Sequence, residues 1–215
     1  MPDVPPDRDY SDIVAAGERW RQREYVDCSF VDADLRGLNT HGCVFTRCDL
    51  SGADLGESAH RATAFRSCLF RRTLLAGSAL DGCTLLGSTF VECRLRPITI
   101  TGTDLTLVSL AGADLREQNL AGLRLAEANL AEADLRGAEL SGADLRGARL
   151  LGTRLEGADV RGARLDANGL VQARLAGALV DVDTAIAFAG AHGLRVELGE
   201  AQVQAQAAQV DRRGQ

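Results

Sequence analysis

Six cysteines are the first side chains in this chain that could do chemistry, because thiolates bind metal ions and attack electrophilic centres. They stand at positions 28, 43, 48, 68, 83 and 93, separated throughout by multiples of five residues. Zinc sites use closely spaced pairs of the C-x-x-C kind, and disulfide frameworks belong to secreted chains. We therefore expect neither a metal site nor disulfides, and we interpret the cysteines as small core residues.

The three histidines give no catalytic arrangement either. His41, His60 and His192 are scattered along the chain, and no triad of Ser, His and Asp and no pair of Cys and His can be assembled by spacing. The phosphate-binding pattern G-x-x-x-x-G-K-S/T is also missing. We expect that the protein is not an enzyme, that it holds no metal and no cofactor, and that His60 is a buried, hydrogen-bonded core residue.

Charge is unevenly distributed along the chain. All 24 basic residues are arginines, and 30 acids give a net charge of -6, which argues against nonspecific nucleic-acid binding through a general basic surface. Residues 58–96 carry a charge of +4, whereas residues 97–144, the acidic zone, carry -5. The acids of this zone are Asp104, Asp114, Glu117, Glu127, Glu132, Asp134, Glu139 and Asp144.

Neither a signal peptide nor a membrane span is predicted. The first ten residues are proline-rich and acidic, where a signal peptide needs a cationic start and an apolar run. No apolar run approaches the roughly 18 residues of a membrane helix. We expect a cytoplasmic protein that does not contact the membrane.

The elements that position these residues follow a five-residue repeat, which is clearest over residues 133–155 as A-D-L-R-G, A-E-L-S-G and A-D-L-R-G. Every fifth residue from Tyr25 to Val180 gives 32 positions, of which 29 are Leu, Phe, Ile or Val. The position two places before holds Ala, Cys, Ser, Thr or Val in 26 of the 32 pentads and includes all six cysteines, and 16 of the 23 glycines stand two places after the central residue.

A strict period of five fits neither an α-helix nor a half-buried strand, and it is typical of a solenoid whose units are stabilised by stacking. If each pentad forms one side of a square coil, four pentads close a coil of 20 residues. The sequence therefore predicts an all-β solenoid of about eight coils over residues 25–180. Its length would be roughly 38 Å and its width roughly 20 Å, near that of a DNA duplex.

The two ends fall outside the repeat. Residues 1–24 are predicted to be an N-terminal extension with a short helix from residue 11 to about 22, either a cap over the first coil or a mobile arm that contacts a partner. After residue 180, a helix capped by Asp183 and ended by Gly193 is predicted, followed by a short strand through Leu194 and Val196. Residues 199–215 are predicted to be a disordered tail.

These pentads resemble those of the pentapeptide-repeat proteins, whose fold is a right-handed quadrilateral β-helix. The stretches 60–66, 93–97 and 181–194 are similar to the actinobacterial fluoroquinolone-resistance branch of that family. The resemblance implies a homodimer joined end to end through residues 181–198, with Ile186, Phe188, Leu194 and Val196 at the junction. It also implies that the rod binds DNA gyrase as a DNA mimic, modulates supercoiling and protects the enzyme from fluoroquinolones, without binding nucleic acid itself.

The residues alone leave the role of the carboxylates open. Asp114 and Asp134 are 20 residues apart and should lie on adjacent coils about 4.8 Å apart, with Arg116 and Arg136 beside them. The aspartates could simply be solvated, because A-D-L is a common spelling of the repeat. They could also imitate DNA phosphates, and we predict the acids of the acidic zone as partner contacts. A scaffold or an immunity protein that shields gyrase from a toxin is the alternative function.

Overall fold

The computed structural model describes residues 8–197, and these form a β-helix built from short sides of five residues. Residues 20 apart pair in parallel register from the Asp9–Ser29 bridge to the Asp159–Leu179 bridge, with one gap on two of the four sides near Pro97. The pairing therefore runs from residue 9 to residue 179, which is about eight and a half coils of 20 residues. The coil count is slightly higher than predicted because the first coil begins well before Tyr25.

The four sides are numbered in chain order by one central residue each. Side 1 contains Phe30, side 2 Leu35, side 3 Thr40 and side 4 Phe45, and every twentieth residue from each of these lies on the same side. Turns separate successive sides, and glycines occupy many of them with positive φ, for example Gly137 at +64°. The corner residue of each pentad is the one two places after its centre.

Three parallel sheets are regular enough to contain strands of three residues. Side 3 carries the sheet β1-β3-β5-β8-β10, side 4 carries β2-β4-β6, and side 1 carries β7-β9. The strands are β1 Arg19–Arg21, β2 Glu24–Val26, β3 Asn39–His41, β4 Val44–Thr46, β5 Ala59–Arg61, β6 Ala64–Arg66, β7 Leu69–Arg71, β8 Ala79–Asp81, β9 Thr89–Val91 and β10 Thr99–Thr101. Isolated bridges continue the same register through the rest of the rod.

The core is the stack of central residues inside the coils. Aromatic rings stack in the first half of the rod, with centroids 4.8 Å apart for Phe45 and Phe65 and 4.5 Å for Phe70 and Phe90. Leucines take over as centres from Leu105 and are almost fully buried through Leu155, whereas Leu165 and Leu175 are partly buried. Because each coil buries its central residues only against its neighbours, the core is continuous along the axis.

Most residues two places before the centres are also buried, as the period predicts, whereas Cys93, Ala113 and Gln118 are partly buried. Cys28, Cys48 and Cys68 stack in one column on side 1, and all six cysteines are free thiols. The Cys68 thiol donates to the carbonyl oxygen of Phe45 at 3.4 Å. Among residues 8–197, no three His, Cys, Asp or Glu side chains are grouped so that they could hold a metal ion.

His60 lies in the core of side 3 and is 2% exposed, which confirms the prediction of a buried histidine. Its Nδ1 hydrogen-bonds to Thr40 Oγ1 at 2.8 Å, and its Nε2 hydrogen-bonds to Ser58 Oγ at 2.9 Å. Burial lowers the pKa of His60 to about 4, so the imidazole is neutral near pH 7.

The helix predicted near the N-terminus is wrong. Residues 8–24 form a further coil of the rod, with Trp20 in β1 and Ala15 buried at two of its centres. The five-residue register continues toward the N-terminus, with Tyr10, Ala15 and Trp20 as centres. The backbone N–H and C=O groups of this segment form hydrogen bonds to the next coil, whereas in an isolated helix they would bond to one another. Residues 1–7 lie outside the described part of the chain.

Two ladders are interrupted beside Pro97, those of sides 2 and 3. Bridges join side 1 at Thr89–Ser109 and side 4 at Asp104–Arg124, but no bridge joins Arg94 to Asp114 or Thr99 to Asn119. Pro97 stands at the corner between sides 2 and 3, where it has no N–H to donate to the next coil. Backbone pairing between these two coils is therefore missing on sides 2 and 3.

Two helices cover the C-terminal end, α1 Ala167–Leu170 and α2 Val182–Ala191. The predicted cap is off by two residues, because Asp181, not Asp183, accepts the N–H of Thr184 at 2.7 Å. Asp183 lies in the first turn, where its charge favours the helix dipole.

The strand predicted after α2 is wrong within the described residues. Residues 194–197 are irregular, and the Leu194 N–H ends the helix by donating to Ala189 O at 3.0 Å. Neither described helix is long and apolar enough to cross a membrane. The predicted disordered tail, residues 199–215, lies outside the described residues.

Candidate protein-binding surface

The eight acids of the acidic zone lie around the whole circumference of the rod. Side 2 carries Asp114, Asp134 and, at its corner, Glu117, and side 4 carries Asp104, Asp144 and the corner residue Glu127. Glu139 is on side 3, and Glu132 is at the corner after side 1. The structure thus places the predicted contacts on several sides and does not gather them into one patch.

On side 2, arginines hold the aspartates closely. Asp114 and Asp134 are bridged neighbours on adjacent coils, as predicted. Arg116 binds Asp114 with both Nε and Nη2, at 2.8 and 2.7 Å, and Arg136 binds Asp134 in the same way. The hydrogen bonds from the Arg116 side chain lower the pKa of Asp114 to about 2, so this carboxylate stays ionised but is already paired.

The two aspartates of side 4 differ. Asp144 accepts from Arg146 at 2.7 Å and from Arg164 at 3.1 Å, and only 7% of its side chain is exposed. A partner would have to displace arginines before it could bind Asp144 directly. Asp104 accepts from its neighbour Thr106, lies 3.6 Å from Arg124, and its side chain is 28% exposed.

The glutamates of the acidic zone differ from the aspartates in exposure and pairing. Glu117, Glu127, Glu132 and Glu139 are all exposed. Within residues 8–197, Glu127, Glu132 and Glu139 take part in no ion pair, and Glu117 is 3.4 Å from Arg96. Three of them are corner residues held at positive φ, from +57° to +59°, which aims their side chains away from the rod.

These four glutamates form a ring around the rod within little more than one coil. The sequence identifies all of them but does not rank them above the aspartates. The signal that could have done so is the D-L-R spelling, which places an arginine two residues after an aspartate on the same side. The corner glutamates Glu127 and Glu132 have no arginine two residues later and take part in no ion pair within residues 8–197, and Glu117 also lacks that arginine but lies 3.4 Å from Arg96.

The predicted dimer residues lie at the C-terminal end of the rod. Phe188 packs against the core and contacts the His192 ring at 4.4 Å between centroids, and Ile186 is half-buried. Leu194 and Val196 are exposed, at 64% and 45%. Further exposed apolar side chains surround them, namely Leu179, Val180 and Val182.

Comparison with known proteins agrees with this architecture. The family model for pentapeptide repeats matches residues 28–58, 109–147, 128–166 and 143–179. The chain is 51% identical over 90 residues to the pentapeptide repeat protein MfpA of Mycobacterium tuberculosis, which covers 42% of this chain and 49% of that protein. It is 47% identical over 56 residues to MfpA of Mycolicibacterium smegmatis, covering 26% and 29%. The matched segments thus span at most about half the length of these relatives.

Among solved structures, the chain is similar to QnrB1, a plasmid-mediated fluoroquinolone resistance protein. A trypsin-treated form superposes with a TM-score of 0.75 at 22% identity over 88% of this chain and 95% of that one. Full-length QnrB1 gives a TM-score of 0.72 at 20% identity, over 85% and 97%. At this identity the likeness establishes a common fold.

Proposed function

Because the chain is a pentapeptide-repeat protein that folds as a β-helix, we propose that it binds DNA gyrase by imitating DNA and so protects the enzyme from fluoroquinolones. The resemblance of its sequence to the actinobacterial resistance branch and the fold shared with QnrB1, itself a fluoroquinolone resistance protein, support this proposal. Gyrase would receive the rod in a surface that otherwise holds duplex DNA.

The ring of exposed glutamates carries the proposal. Phosphates surround a duplex on all sides, and these glutamates are distributed around the rod: Glu132, Glu117 and Glu127 lie at the corners after sides 1, 2 and 4, and Glu139 lies on side 3. A basic groove that wraps DNA could meet several of these carboxylates at once. Binding of this kind is steered by charge and weakens as salt concentration rises.

The aspartates have a secondary part in this mechanism. Asp114 and Asp134 form ion pairs with Arg116 and Arg136, so their negative charges are largely neutralised. A partner therefore meets an ordered, nearly neutral surface at these residues. These ion pairs hold side 2 in a fixed conformation beside Glu117. The predicted contact residues therefore fall into two classes: exposed carboxylates that contact the partner, and paired carboxylates that keep the surface in shape.

Dimerisation at the C-terminal end would extend the rod. The side chains of Val182 in α2 and of Leu194 and Val196 after it are exposed at the helix-covered C-terminal end, where a second copy could cover them. Two acidic zones would then lie on one longer rod, symmetric about the junction. We propose a homodimer of this form as the gyrase-binding species.

The proposal is tested by adding the purified protein to gyrase supercoiling reactions and to quinolone-stabilised cleavage reactions. We expect inhibition of supercoiling and fewer cleaved complexes. The variant E117Q/E127Q should lose much of both effects, whereas E57Q/E92Q, which changes corner glutamates outside the acidic zone, should behave as wild type. No effect of the wild-type protein on either reaction would refute the proposal.

A further inference from the structure

Leu107 stands out among the corner residues of the rod. Its φ is +60°, a conformation that suits glycine, and the same corner is glycine at Gly87 and Gly147. Of the non-glycine residues with positive φ in the described part of the chain, Leu107 has the one large apolar side chain. A bulky residue in this region is strained, and such strain is typical of functional positions.

The side chain of Leu107 does not repay this strain by burial, since it is 50% exposed. Leu86 lies beside it on side 4 of the preceding coil and is 40% exposed. Backbone hydrogen bonds fix the two coils and the next one in register, from Gly87 N to Thr106 O at 3.2 Å and from Leu107 N to Ala126 O at 2.9 Å.

The apolar pair Leu86 and Leu107 has uncharged, acidic and basic residues as neighbours. Thr106 and Ala126 are its uncharged neighbours on side 4. Glu127, which has no ion pair within residues 8–197, occupies the same corner one coil further on. On the other side, Arg66 lies one coil before Leu86. A partner that places a basic group on Glu127 therefore also covers Leu107.

We propose that Leu107 and Leu86 form an apolar anchor that enters a pocket on the gyrase surface receiving the acidic zone. This inference rests on the proposed function and adds to it. Carboxylates steer a basic groove toward the rod but leave its position along the groove loosely determined. A strained, exposed leucine next to a free glutamate supplies one fixed point, in the way that buried apolar anchors dominate protein interfaces.

The proposed anchor is tested by a substitution that should weaken binding to gyrase without lowering the stability of the fold. In L107G the corner adopts its conformation without strain, so the melting temperature should stay the same or rise, while affinity for gyrase should fall by about tenfold. L86S should also weaken binding. The control L151S removes a similarly exposed leucine on side 1 and should bind within about twofold of wild type.

Three results would overturn the inference. If wild type binds gyrase and L107G binds equally well, the anchor is wrong but the proposed function stands. If L107G loses affinity together with melting temperature, the side chain serves the fold and is not an anchor. If wild type itself does not bind gyrase, the proposed function and the anchor both fail. Affinities should be measured by surface plasmon resonance at one salt concentration.

Discussion

An arginine two residues after an aspartate changes what that carboxylate can offer to a partner. Asp144 is held by Arg146 and Arg164 and is almost covered, although its sequence neighbours predict an outward carboxylate. Glu127 and Glu132 have no such arginine and stay exposed. At the scale of single residues, an arginine on the same side of the coil therefore decides whether a carboxylate is free to bind a partner. The identity of the acid itself matters less.

Buried His60 gives a pH prediction at this scale. Its pKa is about 4 in the folded protein and about 6.5 in the unfolded chain, so the unfolded state takes up the proton first as the pH falls. Stability should be fully present above pH 6.5 and should be lost progressively toward pH 4, by on the order of 3 kcal/mol. Urea unfolding between pH 7 and pH 4 would measure this loss.

The matched variants separate His60 from the other acid-sensitive groups. H60Q should be less stable at pH 7, because Thr40 and Ser58 lose their partner, but its stability should fall less on acidification. H41Q, which changes an exposed histidine, should follow wild type. An identical pH dependence of wild type and H60Q would show that His60 does not titrate as described.

At the scale of the coil, central leucines should dominate stability. Leu125 is fully buried in the acidic half of the rod, so L125A should lower the free energy of unfolding by about 2–5 kcal/mol. L151A changes a leucine that is 55% exposed and should cost well under 1 kcal/mol. Equal effects of the two substitutions in denaturant titrations would argue against a stacked core.

The missing backbone pairing on sides 2 and 3 beside Pro97 leads to a second prediction at the scale of the coil. The amides of Asp134 and Glu139 donate to Ala113 and Gln118 of the preceding coil, but the equivalent amides of Asp114 and Asn119 have no such acceptor. Hydrogen exchange measured by mass spectrometry should therefore be faster in peptides that cover residues 111–121 than in those that cover residues 131–141.

Arg96 crosses this opening and contacts Asp114 and Glu117, at 3.4 Å each. R96M should accelerate exchange in residues 111–121 further and leave residues 131–141 unchanged. Equal protection of the two segments in wild type would contradict the opening itself.

The sequence predicts coils well and their ends poorly, for physical reasons. Cys68 and Leu125 are placed correctly because a five-residue period fixes which side chains point inward. Trp20 falls within the helix predicted for residues 11–22, because a serine and a few apolar residues also suit a helix start, whereas pairing with a neighbouring coil is a tertiary effect. The register predicts that residues 20 apart, such as Asp114 and Asp134, are neighbours on adjacent coils. It does not predict that Arg164 contacts Asp144, because that contact depends on the conformation of the arginine side chain.

At the scale of the whole molecule, the two ends of the rod differ. At the N-terminal end, Trp20 donates to Glu18 at 2.7 Å, and the Arg23 guanidinium lies 5.3 Å from the centre of the Trp20 ring. Polar groups thus border the aromatic core there, and Val14 is an exposed apolar side chain at that end. Within residues 179–197, at the C-terminal end, five large apolar side chains are exposed, namely Leu179, Val180, Val182, Leu194 and Val196. This larger number favours association through the C-terminal end.

Substitution at the two ends tests this arrangement. L194D places a charge in the proposed junction, so light scattering during size-exclusion chromatography should show a monomer. V14D changes a more exposed valine near the other end and should remain a dimer. A wild-type protein that is monomeric at tens of micromolar would exclude the proposed homodimer.

The central claim is that the rod occupies the place of DNA, and competition tests it most directly. A labelled DNA duplex bound to gyrase should be displaced by the purified protein, with displacement weakening as salt rises. E117Q/E127Q should displace it at much higher concentrations than E57Q/E92Q does. A ternary complex in which gyrase holds the duplex and the protein together, with unchanged affinity for each, would contradict the account.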